Sequence, residues 1–276
     1  MDVFLFEPFA RAWADKDAFD EVANISGTVV RHKEGRKTQK FDFDGGQYYV
    51  KHHSGIGWGE YLKNLSQLKK PVIGARNEWE AINYLHQLGI HTLTPVAFGE
   101  RGGNPAAQES FLITKELTDV YSLAKYTETW PQNPPSFLEK LYLINAVADI
   151  ARKIHAAGIN HRDLYICHFL LKLEGKDIRN PILHLVDLHR AQIRRQVPRR
   201  WLVKDLASIY FSAMDIGLTR RDVYRFLRAY FQQPLKAILA ENEALLRSVE
   251  KRANRLYERD FSRSPDFSML SSRSSL

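Results

Sequence analysis

Ile159-Asn160-His161-Arg162-Asp163-Leu164-Tyr165-Ile166-Cys167-His168-Phe169-Leu170-Leu171 carries more information than any other stretch of this chain. An apolar helical pattern runs into it. Gly158 interrupts that pattern, and the β-prone run Phe169 to Lys172 leaves it as a short strand. The loop between holds a carboxylate, Asp163, beside His161 and Arg162, with a second imidazole at His168. Three letters such as His-Arg-Asp occur by chance in many proteins. Their meaning depends on what precedes and follows them.

His161-Arg162-Asp163 resembles the catalytic-loop triplet of protein kinases, whose Asp accepts the proton of a substrate hydroxyl. Kinases place a metal-holding Asn five residues past that Asp; this chain has His168 there. The resemblance therefore needs the other kinase parts, in order.

Composition sets the frame. The chain has 276 residues, 44% hydrophobic and 12% aromatic, as expected of a folded protein of one large or two small domains. No apolar run reaches the roughly 18 residues that span a bilayer. The opening Met1-Asp2-Val3-Phe4-Leu5-Phe6-Glu7-Pro8 lacks the basic and long apolar regions of a signal peptide. The lone cysteine, Cys167, excludes an internal disulfide and a multi-cysteine zinc site, and points to a reducing, cytoplasmic setting. A net charge of +8 suits anionic partners: nucleic acid, an acidic membrane surface, an acidic protein or a phosphorylated substrate.

Phe4, Phe6, Phe9, Trp13 and Phe19 predict an N-terminal helix over roughly 9–22. Core packing is the ordinary role of such aromatics; contact with a membrane surface or an acyl chain is the sharper alternative. From Gly27 the pattern turns to strands: Thr28 to Arg31, a polar turn at His32 to Lys37, Thr38 to Phe43, a hairpin at Asp44-Gly45-Gly46, and Gln47 to Lys51. A kinase small lobe has this layout. Its first turn covers the nucleotide phosphates and is rich in glycine; here Gly35 stands among Arg31, Lys33, Arg36 and Lys37. Either basic side chains replace the backbone cradle or the tip is simply a solvated basic turn. Lys51 takes the place of the phosphate-binding lysine. The Gly55-Ile56-Gly57 that follows is not a dinucleotide motif, because it lacks the third glycine and a βαβ context, and reads as part of an insertion through Pro71. Gly74 to Leu88 is a helix in which Ile82 and Leu85 share the face of Glu78, which aims Glu78 at Lys51; Glu80 is the runner-up. Lys115-Glu116-Leu117 ends this lobe where a kinase hinge would hydrogen-bond adenine.

The expected second lobe runs from 118 to 261, after a first lobe of 1–117, with a Ser-rich tail over 262–276 read as disordered. A short helix is expected over Tyr121–Thr127, and Ser136 caps a long helix through Ala157 whose apolar residues include Leu138, Leu141 and Ile154. Pro181 to Asp187 reads as a strand ending in a carboxylate, in the place of the metal-binding Asp of kinases. Asp187-Leu188-His189 lacks the Phe-Gly pair of the kinase switch, so no such toggle is expected. The basic run Arg190, Arg194, Arg195, Arg199, Arg200 and Lys204 falls where kinases receive their acceptor. Arg forks there suit a phosphate or carboxylate, although a solvated face is the plain alternative. Lys204 starts a buried helix; Asp205 resembles the kinase aspartate that anchors the catalytic loop. Helices follow over Arg220–Phe231 and roughly Pro234–Tyr257.

Lys51, Glu78, Asp163, His168 and Asp187 thus stand in kinase order, in an α+β, two-lobe, protein-kinase-like fold. Gly55-Ile56-Gly57-Trp58-Gly59-Glu60, Asn160 to Tyr165 with His168-Phe169-Leu170-Leu171, Asp187-Leu188-His189-Arg190 and Trp201 to Leu206 resemble the lipopolysaccharide core heptose(I) kinases of Gram-negative bacteria. The likeness covers most of residues 5–260. It implies ATP- and Mg²⁺-dependent transfer to a heptose hydroxyl of the inner core, at the cytoplasmic face of the inner membrane. It also implies an anionic glycolipid acceptor and an association with acyl carrier protein. His168 has two readings. It is a metal ligand in place of Asn, or it hydrogen-bonds Asp163 or a phosphate; the second is favoured because Mg²⁺ prefers oxygen. Cys167 is expected to pack rather than react. The rivals are a kinase acting on protein tyrosine or an aminoglycoside-like molecule, and a dead kinase fold that binds anions. No nucleic-acid-binding signature is present.

Overall fold

The computed structural model of the chain describes residues 1–33, 35–55, 74–104, 108–173, 175 and 177–265. The insertion from residue 56 to 73, with most of the Gly55–Glu60 motif, and the tail from 266 lie outside the described residues. Two compact units organise the chain: Met1–Gln87 with Thr92–Thr118 and Asp187–Arg190, and Leu88–His91 with Asp119–Val186 and Ala191–Leu276.

The first unit is built on an antiparallel six-stranded sheet. Its strands are β1 (Asp2–Leu5), β2 (Thr28–Lys33), β3 (Arg36–Phe43), β4 (Gly46–His53), β5 (Thr94–Arg101) and β6 (Glu109–Lys115), in the order β1-β5-β6-β4-β3-β2. Asp44 and Gly45, both at positive φ, make the tight β3–β4 turn that the Asp-Gly pair predicts. Alternation then sorts the side chains. Tyr48, Val50, Phe111 and Ile113 face a core that also holds Phe9, Trp13 and Phe19. Lys51 and Leu112, which are register partners, point the other way, towards the face covered by α3 (Arg76–Gln87) with its buried Ala81, Ile82 and Leu85.

The N-terminus corrects the expectation of one helix over 9–22. It forms β1 and two short helices, α1 (Phe9–Ala12) and α2 (Ala18–Ala23). The cause is Asp17, whose carboxylate accepts from the N–H groups of Phe19 and Asp20 and so starts a second helix. Phe9, Trp13 and Phe19 are core residues, whereas Phe4 and Phe6 are about half exposed and lie against Trp79.

The second unit is mainly helical: α4 (Leu123–Tyr126), α5 (Phe137–Ala156), α6 (Arg199–Ser212), α7 (Arg220–Phe231), α8 (Leu235–Glu241) and α9 (Glu243–Phe261). The Ser136 hydroxyl accepts from the Glu139 N–H and caps α5. Several boundaries differ from expectation. The segment 121–127 begins as strand β7 (Val120–Ser122), α6 starts at Arg199 rather than Lys204, and the expected Pro234–Tyr257 helix is two helices meeting at Asn242. Leu138 is exposed, outside the α5 core stripe. β7 joins β9 (Phe169–Lys172) and β10 (Leu183–Leu185) in a small sheet, and β8 (Ile159–Asn160) pairs with β11 (Gln192–Ile193). Gly158 precedes β8 at φ 79°, and a Cβ there would meet the Arg194 carbonyl oxygen at 1.8 Å, so only glycine fits. Helices α4, α5, α6, α7 and α9 also line a cavity of about 100 Å³, chiefly apolar, with Leu143, Val147, Ile209, Leu227, Leu246 and Val249 in its wall.

Candidate active site

In the first unit, Lys51 Nζ lies 2.5 Å from Glu78 Oε1, and the Glu78 side chain is only 2% exposed. Strand alternation puts Lys51 and α3 on one face of the sheet, and the first turn of α3 brings Glu78 to it. Register pairing adds neighbours to that face: Thr38 lies opposite Lys51, and Arg36 lies opposite His53. Arg36 follows the hairpin tip, and its Nε is buried with no hydrogen-bond partner among the described residues. A guanidinium nitrogen left so is suited to an anion.

His53 reports how cationic this face is. Burial first, and then the charges of Arg36, Lys51, His52 and His189, push its pKa from 6.5 down to about 3. His53 is therefore neutral in the folded protein and gains its proton on unfolding once the pH is below its ordinary value. Its contribution to stability is complete above pH 6.5 and is lost as the pH falls towards 3. Between pH 7 and 5 the expected loss is about 2 kcal/mol. Urea titrations at the two pH values should show that loss in the wild type and less than half of it in His53→Gln. An equal loss in the variant would acquit His53.

Asp187 is two residues past the end of β10, at φ 63°, so the expected strand does not reach it. A carboxylate oxygen, Oδ1, accepts from His189 Nδ1 at 2.5 Å, and Asn77 Nδ2 donates to the His189 carbonyl at 3.1 Å. The position of the kinase switch phenylalanine holds Leu188, which is buried. In the expected adenine-binding segment, Lys115 belongs to β6, and the Glu116 N–H donates to the Gln47 carbonyl. The Glu116 carboxylate accepts from Lys40 Nζ and the Tyr49 hydroxyl. Leu117 lies two residues past the end of β6.

In the second unit, Asp205 of α6 organises the catalytic stretch. It is fully buried and accepts from the N–H of His161 at 2.7 Å and of Arg162 at 2.8 Å, with His155 Nε2 at 3.4 Å. Arg162 is at φ 75°, a conformation that L-residues resist and that these bonds hold in place. His168 Nδ1 is 2.7 Å from the Asp163 carbonyl oxygen, so that nitrogen carries the proton and donates. Lys204 Nζ approaches Asp163 Oδ1 at 3.2 Å. Neighbouring Cys167 is exposed, which overturns its expected packing role; the short turn Ile166–His168 directs Ile166 inwards instead.

The basic run is divided. Arg190 belongs to the first unit. Arg194 donates to Asn160 Oδ1 at 2.9 Å, which makes it a brace of the catalytic stretch. Arg195, Arg199 and Arg200 are exposed, and Arg200 lies 5.0 Å from the Trp201 ring centre. Among the described residues, no three His, Cys, Asp or Glu side chains are grouped to hold a metal ion. Sequence reasoning missed Lys204 as a partner of Asp163, and Arg36 as distinct from its basic neighbours. For Lys204 the only local signal was its adjacency to Asp205.

Residues 20–230 match the model of the lipopolysaccharide kinase (Kdo/WaaP) family. The chain is 50% identical over 263 residues to the lipopolysaccharide core heptose(I) kinase WaaP of Pseudomonas aeruginosa, covering 94% of this chain and 97% of that one. It is 48% identical over 264 residues to the WaaP of Escherichia coli, covering 95% and 99%. A solved structure described as WaaP in complex with acyl carrier protein superposes with a TM-score of 0.83 at 45% identity, over 94% of this chain and all of that one.

Proposed function

This chain belongs to the lipopolysaccharide kinase (Kdo/WaaP) family, and we propose that it transfers the γ-phosphoryl group of ATP to a hydroxyl of heptose I in the lipopolysaccharide inner core. The observation that carries this reading is the buried Lys51–Glu78 pair on the cationic face of the sheet. A lysine fixed in that way serves a nucleotide phosphate, and a protein that bound no nucleotide would have little use for it. Lys51 and Arg36 neutralise phosphate charge. The 115–117 segment meets the adenine, its donors coming from beside the Glu116 N–H, which the sheet already uses. Asp163 orients the acceptor hydroxyl and takes its proton. As it does so, the hydroxyl oxygen bonds to Pγ and the bond from Pγ to the departing ADP oxygen breaks. Arg195, Arg199 and Arg200 face the acidic groups of the acceptor, with Arg194 holding the loop behind them.

Mg²⁺, when bound, would offset charge on the phosphates. Asp187 fits it, as a hard oxygen donor completing a site made mostly by the nucleotide. His168 fits it less well, because Mg²⁺ prefers oxygen donors to imidazole, and with its Nδ1 donating to the Asp163 carbonyl we assign it to positioning.

Acyl carrier protein is proposed as a partner. A small acidic protein suits a chain of net charge +8, and the apolar cavity among the helices of the second unit suits an acyl chain. No helix among the described residues is long and apolar enough to cross a membrane. The acceptor is a glycolipid, so we place the protein peripherally on the cytoplasmic face of the inner membrane.

The test offers dephosphorylated, heptosylated lipid A core and γ-labelled ATP to the protein. Label should appear on the heptose, and Lys51→Ala should lower its appearance by about 100-fold or more. Label found only on protein tyrosine refutes the sugar-kinase reading. Acylated carrier protein should raise the melting temperature of the same preparation; no rise would remove the partner.

A further inference from the structure

The helix that anchors the catalytic loop also delivers a cation to it. Lys204 and Asp205 are consecutive in α6 and act on the same stretch by different routes. Asp205 holds the backbone N–H groups of His161 and Arg162, while Lys204 Nζ sits 3.2 Å from the Asp163 carboxylate. The two partners of that ion pair are mostly buried, with side-chain exposures of 16% and 19%. Leu164 and Tyr165 follow Asp163, and the preceding Arg162 turns its guanidinium to the Trp201 ring, 4.8 Å from the ring centre. Trp201 also has Arg200 at 5.0 Å and Lys204 at 5.9 Å, so one indole lies among three cations, and one of them, Lys204, reaches the Asp163 carboxylate.

Phosphoryl transfer makes a cation here useful. The transferring group spreads negative charge over its equatorial oxygens, and the base that receives the hydroxyl proton is itself a carboxylate. Those charges repel unless something fixed lies beside them, and a preorganised charge costs no rearrangement during the reaction. We propose that Lys204 is the positioning residue for Asp163: it fixes the carboxylate for the acceptor hydroxyl and offsets its charge as the phosphoryl group passes. An ion pair kept only for stability would affect melting and leave turnover alone.

This inference rests on the phosphotransferase reading above, and the experiment separates the two. Lys204→Met, which keeps the stem against Trp201, is compared with the wild type for kcat, KM for ATP and melting temperature. The expected result is a fall in kcat of about 100-fold, with KM for ATP within about twofold and melting little changed. Lys204→Arg should recover part of the loss. In an Asp163→Ala background, Lys204→Met should cost less than about threefold, because the two residues act as a unit. A kcat within about threefold of wild type, or full multiplicativity of the two substitutions, overturns the proposal. So does a loss of turnover that merely tracks loss of folded protein in both Lys204→Met and Lys204→Gln. If the wild type fails to label the heptose, the sugar-kinase reading falls, and slow ATP hydrolysis by wild type and variant still reads the lysine.

Discussion

Asp163→Ala should lower the rate of phosphate transfer by about 10³-fold while ATP affinity stays close to wild type. In the proposed role, only the side chain of the residue would meet the acceptor. Its backbone is held independently, by Asp205 through the two preceding residues and by His168 through its own carbonyl. Truncation at Cβ should therefore leave the loop in place and remove the group that orients the hydroxyl and receives its proton. The cost falls on kcat. Lys204 loses the partner of a mostly buried pair, so stability should fall as well, by about 1–3 kcal/mol. Single-turnover transfer of labelled phosphate, with a nucleotide-binding titration alongside, checks both parts. Wild-type-like turnover by the variant would end the assignment of Asp163 as base.

Asp205→Ala should instead damage the fold and the rate together. Asp205 is fully buried and accepts from two backbone N–H groups that have come out of water with it. Removing the carboxylate strands both donors and frees Arg162 from its left-handed conformation. The expected loss of stability is about 3–5 kcal/mol by urea unfolding, with transfer falling in step as the loop loosens. Asp205→Asn keeps one acceptor oxygen and should recover part of each. If Asp205→Ala melted like the wild type, the loop would owe its shape to something else.

The contrast between these two aspartates bears on what a sequence can disclose. Asp163 stood out as the candidate base because its neighbours His161 and Arg162 are adjacent in the chain. Glu78 was readable because i+4 and i+7 spacing marks the buried face of a helix, and its carboxylate does lie against Lys51. Lys204 was not readable as a partner of Asp163, because 41 residues separate them and a lysine in a basic run looks like any solvated lysine. Arg194 looked like an acceptor ligand for the same reason, yet it reaches back to Asn160 through the β8–β11 pairing. At the N-terminus, the aromatic spacing suggested a single helix, and one capping carboxylate, Asp17, divided it. Cys167 shows the limit of period-two reasoning, since a turn over Ile166–His168 replaced the extended chain that would have buried it.

Legible in the residues alone were the order of the parts and the local geometry that short spacing dictates: the alternating faces of β4, the buried face of α3, the turn at Asp44-Gly45 and the glycine at 158. These depend on interactions within a few residues, where backbone sterics and periodicity leave few choices. The partners emerge from the packed fold. It gave Lys204 to Asp163, the Asp163 carbonyl to His168, Arg194 to Asn160, and burial beside Arg36 and Lys51 to His53. Each of those contacts closes a loop of chain, and which polar groups then meet is settled by how the buried surfaces pack, which no local pattern records.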